Sequence, residues 1–268
     1  MASNMTHISP IDRDALRERV RSSEPVKNFC IDNFLDEAFA EAVLDAYPSY
    51  QDATKIGRSF AAVNEKGKVQ ITDSRAFAEP VAELNRALAS PEFCELMSHV
   101  FEIPKLVPDA DLNGGGIHQT GPRGHLDVHV DFNYIAEREL HRRLNILVYF
   151  NRGWEPGWGG NIELWDKDVK SCRHSFSPLF NRCVVFETNE ISYHGVTAVK
   201  CPEDRSRKSF AAYYYTHEAP AHWTGVAHST IFKARPDEIL KGNVMMPLEN
   251  ARRRLREAIR GIKRAIKS

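Results

Sequence analysis

The chain contains the stretch His125-Leu126-Asp127-Val128-His129-Val130-Asp131, in which ionisable and apolar residues alternate. Successive side chains of a β-strand point to opposite faces of the sheet, so this alternation predicts a strand with its four ionisable residues on one face. Burying unpaired charge is costly, and an ordinary core strand would avoid such a face. The stretch therefore indicates a cavity with a chemical function, backed by an apolar face that packs against the core.

The motif His-x-Asp occurs twice in this stretch, and His194 follows 63 positions after Asp131. Two imidazoles and one carboxylate are the ligands that hold a non-haem Fe(II) while leaving coordination positions open. The residues alone allow two first pairs, either His125 with Asp127 or His129 with Asp131. Residue 131 lies closer to the predicted end of the strand, where ligands usually sit.

Short apolar or alternating runs, separated by Gly, Pro, Asn and Asp, begin at Leu112 and are typical of an antiparallel β-barrel or sandwich. The predicted strands of this part are 125–132, 143–150, 160–165, 182–187, 193–199 and 207–216. The preceding part is predicted to hold a strand at 28–32 and helices at 10–22, 36–46 and 80–100, the last divided at Ser90-Pro91. We expect one domain (1–268) with a mostly helical N-terminal scaffold (1–111), the barrel core (112–216) and a C-terminal extension (217–268).

A chain of 268 residues, of which 42% are hydrophobic, can bury one substantial core. It has no apolar run of 18 residues and no secretory signal at its start, which predicts a soluble cytoplasmic protein. The five cysteines are scattered and form no Cys-x-x-Cys pair, so neither a disulfide framework nor a zinc ribbon fits. A zinc hydrolase is disfavoured as well, because no His-Glu-x-x-His motif is present.

Residues 249–267 are predicted to form a basic amphipathic helix, since apolar residues recur at helical spacing among lysines and arginines. Positions 251–268 hold eight Lys or Arg against the single Glu257. Such a helix can pack on its own domain or a second copy, or bind an anionic membrane surface or an acidic partner. We expect no nucleic-acid partner, because the formal net charge is zero and no nucleic-acid-binding motif accompanies the helix. The oligomeric state stays open.

Four elements follow one another in the predicted barrel. They are Leu126-x-x-His129-x-Asp131, Arg143-x-x-x-x-x-Tyr149-x-Asn151, Gly159-Gly160-x-x-x-Leu164 and His194-x-Val196. Through these elements residues 112–216 resemble the prolyl 4-hydroxylase-like branch of the 2-oxoglutarate- and Fe(II)-dependent dioxygenases, and residues 25–50 resemble it weakly. The resemblance implies a mainly β fold with flanking helices, namely a double-stranded β-helix (jelly-roll, cupin-like) barrel.

The resemblance further implies that His129, Asp131 and His194 are the iron ligands and catalytic residues. The co-substrates would be 2-oxoglutarate and O2, with ascorbate as an optional reductant, and the products succinate, CO2 and a hydroxylated aliphatic carbon. Related halogenases carry Gly or Ala in place of the carboxylate ligand, so Asp131 favours hydroxylation. As substrate we expect a small biosynthetic metabolite, such as an amino acid, a sugar or a natural-product intermediate. The alternatives are a prolyl or other protein side chain, and a catalytically silent ligand-binding barrel.

The remote carboxylate of 2-oxoglutarate needs a cation. Arg207 and Ser209 match the family's Arg-x-Ser pair, which supplies a guanidinium fork and a hydroxyl to that carboxylate. Tyr149 matches the family tyrosine that gives its hydroxyl to the same group, although a buried structural tyrosine is an equal interpretation. Arg205 belongs to the same basic segment and is the alternative cation.

Five further residues are candidates for substrate contacts. His118 and Gln119 stand where the family often has a tyrosine, and Asn145 stands where it usually has a threonine. Asn133 opens a connection in which lids over such sites are commonly placed. Trp158 either stacks on the substrate or pins its own turn.

Overall fold

The computed structural model of the chain describes residues 5–238 and 240–247. The α-helices of this part are α1 (Arg13–Arg21), α2 (Glu37–Asp45), α3 (Tyr50–Ile56), α4 (Glu79–Leu88) and α5 (Pro91–Phe101). The predicted division at Ser90-Pro91 is confirmed: the Ser90 hydroxyl accepts from the Phe93 amide as the N-cap of α5. Helix α3 was not predicted from the sequence.

The strands of the described residues form one sheet with antiparallel pairings. They are β1 (Asn28–Ile31), β2 (Arg58–Ala61), β3 (Glu65–Ile71), β4 (Val107–Pro108), β5 (Gly116–Val130), β6 (Tyr134–Ile135), β7 (Leu140–Tyr149), β8 (Ile162–Trp165), β9 (Cys172–Phe176), β10 (Arg182–Glu187), β11 (His194–Val196), β12 (Arg207–Thr216) and β13 (Ile231–Phe232). Their main order is β1-β10-β7-β12-β5-β11-β8-β9. Short 3-10 helices cover Ser74–Ala76, Ala136–Arg138 and Pro156–Trp158, and a π-helical turn covers Lys241–Met245.

The sheet is barrel-like and mainly antiparallel, which confirms the predicted fold class. Strand β5 is the longest, and it pairs with β12 and β3 near its start and with β11 and β13 near its end. The first 111 residues are more than a helical scaffold, because β1 and β3 extend the sheet. The hairpin β2–β3 escaped prediction since its residues are mostly polar and half-exposed, without a period of two.

The helices pack on the face of the sheet that lies opposite the cavity. In β7, Leu144, Ile146 and Val148 are fully buried in the core between sheet and helices. The Tyr214 hydroxyl of β12 donates to the Leu88 carbonyl at the end of α4, which joins the two layers. Asn145 and Leu147, which alternate with the core residues, face the other way and line the cavity.

A β-bulge interrupts the stretch that was predicted to alternate strictly. His194 of β11 pairs with His129 of β5, but Val196 pairs with Leu126, so β5 holds one extra residue between these pairs. The strict alternation over 125–131 is therefore wrong. Leu126 lines the cavity together with His129, whereas the fully buried Asp127 is outside the cavity lining.

Three other expectations concern the chain as a whole. The five cysteines are free thiols. Within the described residues, no helix has the length and apolar character that crossing a membrane requires. The predicted basic helix at 249–267 lies outside the described residues, so it stays a prediction.

Candidate active site

Two neighbouring strands bring three potential metal ligands together. His129 lies near the end of β5, Asp131 follows that end directly, and His194 begins β11 opposite His129. Ligand atoms of the three side chains lie within 4.8 Å of one another. The His129 Nε2 atom is 3.5 Å from Asp131 Oδ1, and the His194 Nε2 atom is 3.4 Å from Asp131 Oδ2. Across residues 5–238 and 240–247, this is the one cluster of at least three His, Cys, Asp or Glu residues with such a geometry.

Backbone carbonyls orient both imidazoles. The Nδ1 atom of His129 is 2.8 Å from the Asp127 carbonyl oxygen, and that of His194 is 2.8 Å from the Ser192 carbonyl oxygen. A carbonyl oxygen only accepts, so each Nδ1 carries the proton and each Nε2 presents its lone pair towards Asp131. Burial lowers the pKa of His194, which favours the neutral form that a metal ligand needs. The donor set thus fits Fe(II).

Two side chains of β7 hold the carboxylate of Asp131. Asn145 Nδ2 donates to Asp131 Oδ2 over 2.8 Å, and the Arg142 guanidinium lies 3.1 Å from the same oxygen. Burial opposes ionisation, but the Arg142 guanidinium holds the pKa of Asp131 well below its usual range. Asn145 was predicted to contact substrate; it lines the cavity and also donates to the predicted metal ligand Asp131.

Arg142 was not predicted to approach the metal ligands. It is buried, its guanidinium carbon lies 3.7 Å from the centre of the Tyr213 ring and 4.6 Å from that of Phe132, and it donates to Asn145 Oδ1. A second bulge, at the register shift between Leu144 and Arg142, turns it towards the cavity. Alternation along the sequence would place Arg142 on the core face with Leu144 and Ile146. The sequence therefore held no indication that Arg142 faces the cavity.

Arg207 is a buried cation at the other side of the cavity. Its Nη2 donates to the Tyr149 hydroxyl over 3.2 Å, its Nη1 lies 3.4 Å from Ser209 Oγ, and its Nε donates to the Gly160 carbonyl over 2.6 Å. None of the described carboxylates forms an ion pair with it. Burial lowers the pKa of Arg207. Since no described carboxylate pairs with the guanidinium, its desolvation is not offset by a protein anion.

The two flanking predictions around Arg207 differ in outcome. Arg205 is exposed, donates to the Arg152 carbonyl over 3.4 Å and lies over the Trp158 ring, so it does not reach the cavity. Burial raises the pKa of Tyr149 to about 12, so its hydroxyl keeps its proton over the neutral range. The structure brings Arg207, Ser209 and Tyr149 together.

One cavity of about 480 Å³ connects the triad with Arg207. Its apolar wall includes Leu126, Leu147, Ile162, Phe186 and Val196. Charged and polar side chains come from the β2–β3 hairpin, and Thr230 and Phe232 close a further side. This volume lies within the range of about 300–1,000 Å³ that is usual for small-molecule sites.

The remaining predicted contacts fall on both sides of the cavity wall. His118 lines the cavity, and burial together with Lys68 holds its pKa well below the usual value. Gln119 is fully buried away from the cavity, since its amide donates to the Pro48 carbonyl and accepts from the Ser206 hydroxyl. The prediction of a substrate contact at Gln119 is therefore wrong, because its amide is already used in the scaffold.

Asn133 and Trp158 also lie outside this cavity. The Asn133 amide bonds Glu190 and the backbone of Val226 and His228. Trp158 packs edge-to-face on Trp154, with ring centres 5.4 Å apart. This contact lies within its own turn and favours the interpretation that Trp158 pins the turn over the one in which it stacks on the substrate.

The alternative ligand pair, His125 with Asp127, does not assemble with His194. His125 lines the cavity, but its Nε2 is 3.1 Å from the Val63 carbonyl oxygen. Asp127 instead accepts from Lys241 over 2.5 Å. Only the second His-x-Asp copy lies in the triad.

Comparison with known proteins places the barrel in a family. Residues 115–215 match the 2OG-Fe(II) oxygenase superfamily. Over 78 residues the chain is 32% identical to the prolyl 3-hydroxylase OGFOD1 of Mus musculus, and this similarity spans 28% of the chain and 14% of the mouse protein.

Solved structures show the same fold at low identity. A Trichoplax adhaerens prolyl hydroxylase, in complex with a hypoxia-inducible-factor peptide fragment, has a TM-score of 0.52 at 17% identity, covering 76% of this chain and 90% of that one. A prolyl 4-hydroxylase of Pseudomonas putida gives 0.51 at 18% identity, over 75% and 98%. The carbocyclase SnoK from nogalamycin biosynthesis gives 0.53 at 13% identity, over 77% and 87%.

The barrel, the His-Asp-His cluster and the buried cation are features that a non-haem iron oxygenase using a 2-oxo acid requires. The part of the chain that forms the barrel, residues 115–215, matches the 2OG-Fe(II) oxygenase superfamily, whose members use Fe(II), 2-oxoglutarate and O2. Its recognised resemblance to the prolyl 4-hydroxylase-like branch is confirmed.

Proposed function

We propose that this protein hydroxylates an aliphatic carbon of a small biosynthetic metabolite, converting 2-oxoglutarate and O2 into succinate and CO2. The observation that carries the proposal is the position of Arg207, a buried cation without an acidic partner among the described residues, in the same cavity as the three ligands. A dicarboxylate that chelates the metal through its 2-oxo acid end would supply the missing charge with its other end.

Each group of the site has a separate task in this proposal. Bound Fe(II), with 2-oxoglutarate, supplies the oxidising chemistry through decarboxylation of the 2-oxo acid. His129 and His194 present neutral Nε2 atoms, and Asp131 presents a carboxylate that Arg142 and Asn145 keep in place. The presence of this carboxylate favours hydroxylation over halogenation.

The co-substrate end of the cavity is set up to bind and to exclude water. Arg207 offers its fork, and the hydroxyls of Ser209 and Tyr149 beside it can donate to the same carboxylate. The apolar side chains of the cavity lining would limit the access of water to the reacting atoms.

Two observations support a small substrate. The cavity is of small-molecule size, and the β2–β3 hairpin and the segment with Thr230 and Phe232 cover it from two sides. The fold is also shared with SnoK, a carbocyclase of natural-product biosynthesis. The second candidate is hydroxylation of a prolyl side chain, which the 32% identity to a prolyl 3-hydroxylase favours.

An anaerobic titration with Fe(II) and then 2-oxoglutarate tests the co-substrate assignment through the visible charge-transfer band of the chelate. We expect the band near one equivalent in the wild type and its loss in His129→Ala. Arg207→Gln should raise the half-saturating 2-oxoglutarate concentration by about tenfold or more, because a charged hydrogen-bonded pair is lost. Arg205→Gln, the matched control, should leave it unchanged.

A wild type without a band would refute the oxygenase assignment and revive a zinc site. A band that persists in His129→Ala would move the ligands to other residues. A band without any succinate release under air would support a silent binding barrel.

Substrate class is tested by succinate release above the uncoupled background. Free amino acids, sugars and natural-product intermediates form one set, and proline-containing peptides form the other. Stimulation by the first set supports the proposal, and stimulation by the peptides alone supports prolyl hydroxylation.

A further inference from the structure

A segment after the barrel lines one side of the cavity through Thr230 and Phe232. We call residues 226–238 and 240–242 the strap. At its start, the Asn133 side chain donates to the Val226 carbonyl over 3.1 Å and accepts from the His228 amide over 2.9 Å. The His228 imidazole lies 2.7 Å from a Glu190 carboxylate oxygen. One end of the strap is thus attached beside β6 and β11.

The middle of the strap lies against the metal ligands. Strand β13 extends the sheet at the end of β5, with Phe232 opposite His129 and Ile231 opposite Val130. The Phe232 ring centre is 5.3 Å from that of His129, and the Lys233 amide donates to the Val128 carbonyl over 2.8 Å. Phe232 thereby forms part of the cavity wall beside His129.

The far end of the strap is held by a half-buried ion cluster around the fully buried Asp127. Lys241 Nζ lies 2.5 Å from Asp127 Oδ1 and 3.0 Å from Glu238 Oε1. Arg235 lies 3.0 Å from Glu163 Oε2 of β8 and 3.9 Å from Asp127. The strap therefore contributes both cations, and the barrel contributes two of the carboxylates.

Asp127 depends on the strap for its charge partners. Its side chain is fully buried, and outside the strap the His125 Nε2 atom lies 3.7 Å away. A buried carboxylate that loses its cation is strongly unfavourable, so the fold favours the arrangement with the strap in place. The backbone carbonyl of Asp127 also accepts from His129 Nδ1. Asp127 therefore contacts the strap through its side chain and the predicted metal ligand through its backbone.

We propose that Asp127 is a positioning residue that, through Lys241 and Arg235, holds the strap against the cavity and keeps Phe232 against His129. The first copy of the His-x-Asp motif is then the anchor of the cavity wall, and the second copy supplies the metal ligands. The anchoring stands on geometry alone, and only its consequence for substrate fit rests on the proposed function.

Hydrogen exchange of the metal-free protein tests the anchor without any turnover. In Lys241→Met we expect the strap amides, including that of Lys233, to exchange about tenfold faster or more, because the buried ion pair is broken. The amides of β7 and β12 should keep their protection. Lys241→Arg retains the charge and should restore slow exchange in the strap.

Two further variants sharpen the comparison. Lys55→Met removes the lysine of an exposed pair with Asp52 on α3, and it should exchange like the wild type. The double variant Asp127→Asn with Lys241→Met should exchange no faster than Asp127→Asn alone, since Asp127→Asn already removes the contacts of Asp127 with Lys241 and Arg235.

Unchanged strap exchange in Lys241→Met would overturn the proposal. Faster exchange throughout the barrel would overturn it too, because the cluster would then stabilise the whole domain rather than the strap. The Fe(II) and 2-oxoglutarate titration on Lys241→Met separates this question from the proposed function. A missing band in the wild type refutes the function, while the exchange data still decide on the anchor.

Discussion

Arg142 illustrates how one side chain can govern a metal site without touching the metal. Its guanidinium is enclosed by the rings of Tyr213 and Phe132, and it faces the oxygen of Asp131 that also accepts from Asn145. Such supporting contacts fix the orientation of a ligand and maintain its charge. Asp131 is therefore held as a carboxylate before any metal binds.

Replacing Arg142 by Met should weaken Fe(II) binding by about tenfold to a hundredfold, the usual range for losing a supporting partner of a metal ligand. Anaerobic Fe(II) titration measures the effect. Arg143→Met changes the neighbouring residue, which contacts Thr216 rather than Asp131, and should keep wild-type affinity. Equal affinity in Arg142→Met and the wild type would contradict the role given to Arg142.

His118 makes stability depend on pH. Burial holds its pKa in the folded protein well below the value near 6.5 of the unfolded chain. Below that value the unfolded chain binds a proton that the folded protein does not, so stability is complete above pH 6.5 and is lost as the pH falls. The contribution of this one group reaches about 1.4 kcal/mol per pH unit.

Urea unfolding between pH 5 and 7.5 checks this expectation. His118→Asn should lose less stability on acidification than the wild type. His222→Asn, at an exposed position, should keep the wild-type dependence. An acid loss of equal size in His118→Asn would show that other groups account for it.

At the scale of elements, two bulges aim the side chains of the site. The extra residue in β5 separates Asp127 from the face of His129, and the extra residue in β7 turns Arg142 towards Asp131. Bulges re-aim side chains beside active sites in this way. A change that straightens either strand should therefore disturb the metal site before it disturbs the core.

Gly195 allows β11 to lie close to the bulge. A Cβ atom at this position would be 3.0 Å from the Leu126 carbonyl oxygen and 3.1 Å from Val128 Cα. We expect Gly195→Ala to lower the free energy of unfolding by about 1–3 kcal/mol and to weaken Fe(II) binding, because His194 is the next residue. Gly157→Ala meets no atom within 4 Å and serves as the control. Chemical unfolding and Fe(II) titration give the two readouts, and a normal Fe(II) affinity would refute the coupling.

For the whole molecule, metal binding should be linked to stability. Fe(II) at about a hundredfold above its Kd should raise the free energy of unfolding by about 2.7 kcal/mol, and the Tm by roughly 5–10 °C. Anaerobic thermal unfolding with Fe(II) or with EDTA measures the difference. A shift of the same size in His129→Ala would show that the metal binds elsewhere.

The sequence predicted the chemistry of the site better than its geometry. The order of motifs around His129 and His194 was enough to predict the fold class and the resemblance to the 2-oxoglutarate- and Fe(II)-dependent dioxygenases. Asp127 was misplaced because a bulge leaves no mark on a count of alternating residues. Gln119 was misassigned since its partners, Pro48 and Ser206, are distant along the chain.

The covering elements were missed for a related reason. The hairpin β2–β3 is polar, and β13 is two residues long, so neither has a detectable period. Their positions follow from contacts with β5, which depend on the assembled barrel. Arg142 was missed for the same reason, because its contact with Asp131 forms only when β7 lies beside the end of β5.

The pairing of His129 with His194 across β5 and β11 has a consequence for how the iron is exchanged. The hydrogen bonds of the sheet set the distance between the two imidazoles. The conformational entropy that is lost in bringing them together is therefore lost when the barrel folds, and not when a metal binds. Iron can then leave and return without any strand changing place. We therefore expect the supply of iron, rather than synthesis of new chains, to set how much of the protein is active.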